Sequence, residues 1–524
     1  MRVHDYLEYW AGAAPDGVCM SDGARSWTYR EANEWADRVA TGLSDLGVGD
    51  GMRFGVLAKN CAEWLPIYYG AFKAGAVPVP LNFRLHPREW VYLLADSGAT
   101  AVFAQSQYTD ALDGVRSDLP AALGRFVVID GNARAEGDGW LSLADLTDAA
   151  DPGALAENLV PADHDLWQMY TSGTTGLPKG AVLTHAAIDA NMIQARTALS
   201  INAGDNLILV MPLFHAGAAM SMVVAVASGS SMRIVADFDP AECVRMLDEE
   251  DITCVTFVPA MIQAMLVHVP DVRERRYEHL RLIAYGASPI AEETLRQAME
   301  VFGCDFVQAF GQTESSAAIT TLSADAHRRA LAGETHLLGS CGRPLVGTEV
   351  AVVDAEGKPV ATGEVGEIVA RGPQIMRGYW NLPDATAATL AGGWLHTGDA
   401  GRLDDEGFLY VCDRIKDMIV SGGENIYPKE IEDVLYEMAG VAEAAVIGVP
   451  DDRWGETVKA VVVAKPGQAL TEASVMDRCR GRLAGFKAPR SVDFVDGLPR
   501  NATGKVLKTV LREPYWQGRS RHVS

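Results

Sequence analysis

Residues 170–180 read YTSGTTGLPKG. The stretch follows a strand-forming run, LWQMY, and holds three threonines, a serine, three glycines and a single lysine. Glycine and proline at this density serve neither helix nor strand. Glycine does allow left-handed backbone and close approach, and hydroxyls with free backbone N–H groups are donors for phosphate oxygens. The loop therefore reads as a phosphate cradle between two strands, with Lys179 adding a mobile charge. An ordinary linker would need neither the order Pro178-Lys179-Gly180 nor strands on both sides. Nor is it a Walker A loop, G-x-x-x-x-G-K-[ST]. Counted from Gly173, the sixth residue is Pro178, and Gly180 follows Lys179 where a Ser or Thr would hold magnesium.

Outward from this loop, the first 340 residues repeat one rhythm. Short β-branched runs such as RFGVLA (53–58), NLILVMPL (206–213), ITCVTFVPA (252–260) and DFVQAFGQ (305–312) alternate with amphipathic segments of helical length. Strand–helix alternation with short connections predicts parallel α/β sheets covered on both faces. LWQMYTSG (166–173) is expected to be one of these strands. From about residue 340 the texture turns to short strands and turns, as in GTEVAVVDAEGKPVATGEVGEIVARG, the pattern of antiparallel β-structure. After DRIKDMIVSGGENIYP (413–428) comes a unit with helices expected over 428–438 and 472–484 and strands over 442–450, 458–465 and 491–495. The expected architecture is α/β. A large N-terminal domain, residues 1–415, has mainly parallel sheets flanked by helices plus a small β-barrel-like part. A small mobile α+β C-terminal domain follows over 416–524.

A chain of 524 residues exceeds one ordinary core and implies at least two domains. Its 48% hydrophobic and 22% charged content excludes disordered and collagen-like classes. A net charge of −24 repels nucleic acid and anionic lipid, so an anionic ligand must meet a local basic site. Residues 478–524 offer one, with eleven Lys and Arg against three Asp and Glu. The eight cysteines form no C-x-x-C pair or zinc spacing and read as free thiols in a reducing compartment. Asp5 and Glu8 interrupt any signal-like N-terminus, and the apolar run MVVAVA (222–227) is far short of a membrane span. The expectation is a cytoplasmic protein with no transmembrane segment and no nucleic-acid partner. The oligomeric state stays open, a homodimer included.

TSGTTGLPKG (171–180) resembles the signature loop of the acyl-adenylate-forming superfamily, which includes acyl-CoA synthetases, firefly luciferase and the adenylation domains of peptide synthetases. PLFHAG (212–217), YGASPI (285–290), AFGQTES (309–315), WLHTGD (394–399), DRIKDMIVSGGENIYP (413–428) and PRNATGKVLK (499–508) follow in that family's order and spacing. The later motifs look most like those of bacterial fatty-acyl-CoA ligases. The resemblance covers about residues 25–513. It implies ATP, Mg²⁺ and coenzyme A as cofactors and a two-step reaction. A carboxylate attacks the α-phosphate and releases pyrophosphate, then a thiol displaces AMP from the acyl-adenylate while the C-terminal domain swings between the steps.

The same resemblance assigns roles. Thr171, Ser172, Gly173, Thr174, Thr175, Gly176 and Lys179 would receive the β- and γ-phosphates, Thr313 the α-phosphate and Glu314 the magnesium ion. Gly286, Ala287, Ser288, Gln308, Ala309, Phe310 and Gly311 would form the adenine slot, with Phe310 stacking on the base. Asp399 would accept the ribose hydroxyls, and Arg414 would reach the same ribose. Lys505 would be the catalytic lysine of adenylation and Lys416 the hinge. Gly422 and Gly423 would admit the pantetheine arm, and Phe486, Lys487 and Arg490 would meet the CoA nucleotide. His215, Gly217, Met220 and Gly311 would line the acyl pocket, with His215 beside the acyl carboxylate. Acetate-type synthetases carry a bulky Trp where Gly311 stands, so the acid is expected to be apolar and larger than acetate or propionate, a medium- or long-chain fatty acid in the first place.

Three alternatives stay open. Aryl acids and steroid or terpenoid side-chain acids fit an open apolar pocket equally well. An acyl-AMP ligase serving a carrier protein would typically carry an insertion near the hinge, and none interrupts 413–428. A non-catalytic nucleotide-binding descendant would have lost Lys505, Glu314 or Asp399, and all three are present.

Overall fold

The computed structural model describes the chain apart from residues 132–138, 151–159, 172–176, 289, 291, 423, 452, 501–505 and 518–524, and apart from the side chains of Lys416 and Asn425. The β-branched runs become strands where the sequence places them. Cys254–Phe257, Leu282–Gly286 and Asp305–Phe310 lie side by side and parallel. They form the middle of a nine-stranded sheet whose edges are antiparallel. A second sheet of five parallel strands is built from Arg53–Leu57, Val77–Pro80, Ala101–Ala104, Arg125–Val128 and Trp140–Ser142.

The apolar helix Ala216–Ser228 explains the MVVAVA run. It is buried on nearly every side within the N-terminal core, as a helix without a polar face must be. Gly229, left-handed at φ 71°, ends it. No helix among the described residues is long and apolar enough to cross a membrane. The eight cysteines are all free thiols.

The stretch LWQMYTSG departs from expectation. Asp165–Thr171 does not join a parallel sheet. It forms an antiparallel hairpin with Lys179–Thr184, and Gly378–Tyr379 adds a third strand. A short glycine loop can only join antiparallel neighbours, because a parallel return needs a crossover of a dozen residues or more. Residues 172–176 lie outside the described residues, but Thr171 and Lys179 face each other as the pair that closes the hairpin.

The turn-rich segment after 340 is antiparallel as expected, a four-stranded sheet of Glu349–Val353, Gly366–Arg371, Leu395–Leu403 and Leu409–Arg414. Beyond it, the long hairpin Val441–Asp451 and Gly455–Ala464 receives Ser491–Phe494 in parallel and the helices Pro428–Tyr436, Glu472–Arg480 and Lys508–Trp516. The buried apolar clusters of residues 419–515 share no member with those of the preceding chain. The terminal helix is tied down by charge: Arg512 Nη2 donates to Asp417 Oδ1 at 2.8 Å, and both side chains are buried.

Removing one partner of a buried ion pair leaves the other uncompensated, at about 3–5 kcal/mol. Arg512→Met is therefore expected to destabilise residues 416–517 by up to about that amount in chemical denaturation, less whatever the Lys508 charge offsets at Asp417. A loss below about 1 kcal/mol, typical of an exposed pair, would show that the contact does not hold the helix.

Candidate functional site

The parallel strands Leu282–Gly286 and Asp305–Phe310 end at the same level, Gly286 opposite Ala309. Crevices beyond the carboxyl ends of such strands are where α/β sheets hold ligands. A Cβ on Gly286 would stand 2.3 Å from the Ala309 carbonyl oxygen, so only glycine permits this approach. Ala287 then turns with a left-handed φ of 66°. Two cavities open here and share Tyr285, Ala287, Ala309 and Gly311 as walls.

The first cavity measures about 300 Å³ and brings together Ala287, Ser288, Gln308, Phe310, Asp399 and Arg414. Asp399 and Arg414 are cross-strand partners, and Arg414 Nε lies 2.6 Å from Asp399 Oδ1. The Gln308 Oε1 atom is enclosed and has no hydrogen-bond donor among the described residues. Arg500 and Val506 also line this cavity, and they bridge to each other across residues 501–505. Lys505 lies outside the described residues, but both ends of its loop are at the cavity wall.

The second cavity, about 430 Å³, is apolar. His215, Gly217, Met220 and Gly311 line it with further Ala, Val, Leu and Met side chains. His215 precedes the helix Ala216–Ser228, with its ring 4.1 Å from that of Phe214. Burial, assisted by the Arg84 charge, lowers its pKa to about 3, so the ring is neutral at physiological pH. Its Nε2 atom is enclosed and has no hydrogen-bond partner among the described residues. Arg84 is the only charged side chain among the described residues that line this cavity. Gly311 does more than leave the pocket open. A Cβ there would stand 2.4 Å from Ala317 O and 2.6 Å from Ala318 Cα, so backbone packing itself demands glycine.

The turn 312–318 runs along the second cavity, with Gln312, Thr313, Ala317 and Ala318 in its wall. Ser315 Oγ donates to Gln312 O at 2.9 Å and accepts from Gln312 N at 3.1 Å, which fixes Thr313–Ser315 as one short helical turn. Glu314 is 7% exposed, with Oε1 accepting from the Tyr379 hydroxyl at 2.7 Å. Ser316 takes φ 67°, ψ −49°, and Ala317 N donates to Ser315 O at 2.8 Å. This is a γ-turn of the strained hand. Asn191, fully buried on helix His185–Leu199, clamps the strand that follows: Nδ2 donates to Ala318 O at 2.9 Å and Oδ1 accepts from Ala318 N at 3.3 Å.

The C-terminal residues are distributed differently. Lys416 sits in the short turn Ile415–Asp417. Gly423 lies outside the described residues. Gly422, at φ 62°, donates its N–H to Trp454 O at 2.8 Å, and a Cβ there would strike the indole at 2.7 Å. Trp454 lies between the Arg453 and Arg490 guanidiniums, 4.6 and 6.0 Å from its ring. Phe486 is exposed nearby in sequence, but the basic segment is less open than its composition suggests. Lys487 pairs with Glu430 at 2.7 Å, and Arg478 and Arg482 both pair with Glu437. The acids come from residues 430–437, outside the 478–524 window whose charge was counted.

Tyr379, Asn191 and Trp454 were not found from sequence. Each acts on a partner far along the chain or sits outside the motifs quoted. The available signals were weak: Asn191 falls on the buried stripe of an amphipathic helix, and Tyr379 and Trp454 stand in RGYW and DDRWGE.

Comparison with known proteins places the chain in a family. The family model described as AMP-binding enzyme matches residues 7–380, and that described as AMP-binding enzyme C-terminal domain matches residues 430–505. A fatty acid–[acyl-carrier-protein] ligase of Streptomyces coeruleorubidus is 36% identical over 95% of this chain and 94% of its own. A long-chain-fatty-acid–CoA ligase of Mycobacterium tuberculosis is 37% identical over 93% of each chain. A feruloyl-CoA synthase of an Amycolatopsis species is 37% identical over 96% and 97%. Among solved structures, the o-succinylbenzoate coenzyme A synthetase of Bacillus subtilis in complex with ATP and a magnesium ion superimposes with a TM-score of 0.83, at 29% identity over 96% and 98% of the two chains.

Two outcomes are expected. Asn191→Ala leaves Ala318 N and O without their side-chain partner, and each unsatisfied buried group costs about 1–3 kcal/mol, so the variant loses about 2–6 kcal/mol in chemical denaturation. An unchanged midpoint would mean that the turn holds itself. The lowered pKa of His215 sets a pH dependence: the unfolded chain takes up a proton below about pH 6.5 that the folded ring refuses until about pH 3. Stability therefore falls as pH drops through that window. His215→Gln should flatten the loss by up to about 1.4 kcal/mol per pH unit, read from denaturation curves at stepped pH.

Proposed function

The chain belongs to the AMP-binding enzyme family and is an AMP-forming acid–thiol ligase, and we propose that it joins a medium- or long-chain fatty acid to coenzyme A. The observation that carries this reading is the second cavity. It starts at His215 and Gly311 and follows the helix Ala216–Ser228 as far as Val224, nine residues or about 13 Å at 1.5 Å each. An apolar slot of that depth, with one cation near the His215 end, suits a long tail carrying a single carboxylate.

In the first step a carboxylate oxygen forms a bond to the α-phosphorus of ATP, the bond to the β-phosphate oxygen breaks, and pyrophosphate leaves. In the second the thiol sulfur attacks the acyl carbonyl carbon, the thiol proton is lost to solvent, and AMP departs. Phe310 offers its ring face to adenine, and the enclosed Gln308 Oε1 accepts from the adenine amine. Asp399 accepts the ribose hydroxyls, with Arg414 turned from its ion pair towards the same sugar. Ser172, Gly173, Thr174, Thr175 and Gly176, with Thr171 and Lys179, cradle the β- and γ-phosphates, and Thr313 reaches the α-phosphate. Neutral His215 orients the carboxylate by a hydrogen bond without adding charge, and Arg84 draws the anion to an otherwise apolar mouth.

Magnesium carried in with ATP supplies charge neutralisation at the departing phosphates. The residues present fit it. Magnesium takes one or two carboxylates plus phosphate oxygens and water, and Glu314 is a nearly buried carboxylate with no lysine or arginine paired to it among the described residues. Residues 1–415 and 416–524 act as two domains hinged at Lys416. One orientation brings the Lys505 loop to the first cavity for adenylation. The other presents Gly422 and Gly423 to the pantetheine arm and the Trp454, Phe486, Lys487 and Arg490 region to the CoA nucleotide.

A second reading rests on Ser221 and Thr256, whose hydroxyls stand 3.5 Å apart in the acyl cavity wall and would suit a polar substituent on an aryl acid. AMP formation measured over octanoate, laurate, palmitate, benzoate, ferulate and indoleacetate, with CoA or a carrier protein as acceptor, separates the readings. The fatty acids with CoA are expected to give the highest kcat/KM. A preference for ferulate or for the carrier protein would overturn this assignment. Lys505→Ala is expected to lose roughly 10²–10³ in adenylation rate while thioesterification of a preformed acyl-adenylate is largely spared. An equal fall in both half-reactions would remove Lys505 from that role.

A further inference from the structure

We propose that Tyr379 is a positioning residue for adenylation: its hydroxyl fixes the magnesium carboxylate Glu314, and its ring seats the phosphate-loop lysine Lys179. The inference rests on the reading of Glu314 as the magnesium ligand given above.

Two contacts meet at this one side chain, and strand pairing supports them. The Tyr379 O–H donates to Glu314 Oε1 at 2.7 Å. Glu314 Oε2 accepts no hydrogen bond among the described residues, so the phenol occupies one carboxylate oxygen and leaves the other for a cation. Lys179 Nζ lies 4.9 Å from the centre of the Tyr379 ring, within cation–π range. The strand Gly378–Tyr379 pairs with Lys179–Thr184, Tyr379 opposite Ala181, two residues beyond Lys179. The main chain repeats the link, since Met376 N donates to Glu314 O at 2.9 Å and Trp380 N donates to Gly180 O at 2.8 Å.

The backbone is also held so that the ring cannot drift. Tyr379 N donates to Thr386 Oγ1 at 2.9 Å. Gly378 adopts φ 155°, and a Cβ there would strike Thr386 Cγ2 at 2.6 Å. A purely structural tyrosine needs a partner for its hydroxyl. It does not need that partner to be a carboxylate otherwise without a cation, nor a lysine over its ring at the mouth of a phosphate loop. A carboxylate ligand whose second oxygen is hydrogen-bonded is held in one orientation, and loss of such an outer partner typically weakens metal binding about 10–100-fold.

The test compares Tyr379→Phe, Tyr379→Leu, Glu314→Gln and the double variant Tyr379→Phe/Glu314→Gln. Titration calorimetry gives ATP affinity in EDTA and in magnesium. Single-turnover assays give adenylation against magnesium concentration and thioesterification of a preformed acyl-adenylate. Tyr379→Phe is expected to raise the magnesium concentration for half-maximal adenylation about 10-fold or more, to shrink the affinity that magnesium adds to ATP, and to spare thioesterification. In the Glu314→Gln background it should shift neither quantity further. Tyr379→Leu, which also removes the ring beneath Lys179, should weaken ATP binding in EDTA as well. Wild-type magnesium dependence in Tyr379→Phe, with Glu314→Gln impaired, overturns the proposal and leaves the role of Glu314 standing. Equal loss of both half-reactions with unchanged magnesium dependence also overturns it and marks Tyr379 as structural. Unchanged magnesium dependence in Glu314→Gln removes the carboxylate's role, and this one with it.

Discussion

The turn from Gly311 to Ala318 is the constraint on which both cavities depend. It leaves the end of a central parallel strand, carries Thr313 and Glu314, and returns as an antiparallel neighbour through a γ-turn at Ser316. Such a conformation costs of order 1–3 kcal/mol and persists only when its surroundings over-determine it. Here they do. Asn191 holds both main-chain groups of Ala318. Ser316 Oγ donates to Gln374 O at 2.7 Å, and Gln374 in turn is fixed through Thr348. Glycine at 311 lets the turn close against its own backbone. Through Gly311 this one short segment borders both cavities, so on the proposed reading a carboxylate and an α-phosphate would meet at its edge.

Charge follows a related logic. A chain of net charge −24 has to bind a polyanion, and it does not do so with an open basic surface. Among the described residues, each cation lining the first cavity is held by an acid: Arg414 by Asp399, Lys429 by Asp433, Arg500 by Glu443, and Lys508 by Glu432 and Asp413. Burial works against the Lys508 charge, but Asp413, Glu432 and Asp417 outweigh it and keep the ammonium protonated. On the proposed reading, exchanging an internal acid for a phosphate or ribose oxygen would change partners without exposing a bare charge, which would keep the desolvation cost low.

Much of this was legible in the sequence because the deciding interactions are local. Strand periodicity marked Leu282–Gly286 and Asp305–Phe310, and the resemblance carried by YGASPI and AFGQTES assigned the residues at their ends to a site. The hairpin Asp165–Thr171 with Lys179–Thr184 was missed as such, although a loop of seven residues between two strands already forbids a parallel return. Tyr379 and Asn191 were illegible for a different reason. Tyr379 meets Glu314 across 65 residues, and Asn191 meets Ala318 across 127, so no window of sequence contains either pair. The basic segment is less open than its composition suggests because Glu430 and Glu437, outside it in sequence, reach it through space. Composition counts charges, and only packing says which of them are already spoken for.

The same distinction bears on domain motion. Under the proposed rotation about Lys416, contacts wholly beyond residue 416 survive, and those that cross it must break. Arg512 with Asp417 at 2.8 Å and Lys508 with Glu432 at 2.9 Å lie on one side. Asp413, on the other side, is reached by Lys508 at 3.4 Å and by the Lys429 N–H at 3.1 Å. The two shorter ion pairs lie beyond residue 416, and the longer ion pair and the Lys429 N–H hydrogen bond span the proposed hinge. Lys508 therefore need not be stripped of all its counter-charge when the domains part, because Glu432 travels with it. A lysine between two acids, one on each side of the proposed hinge, would keep one counter-charge while the boundary opens, which avoids leaving a bare charge and lowers the electrostatic cost of the motion.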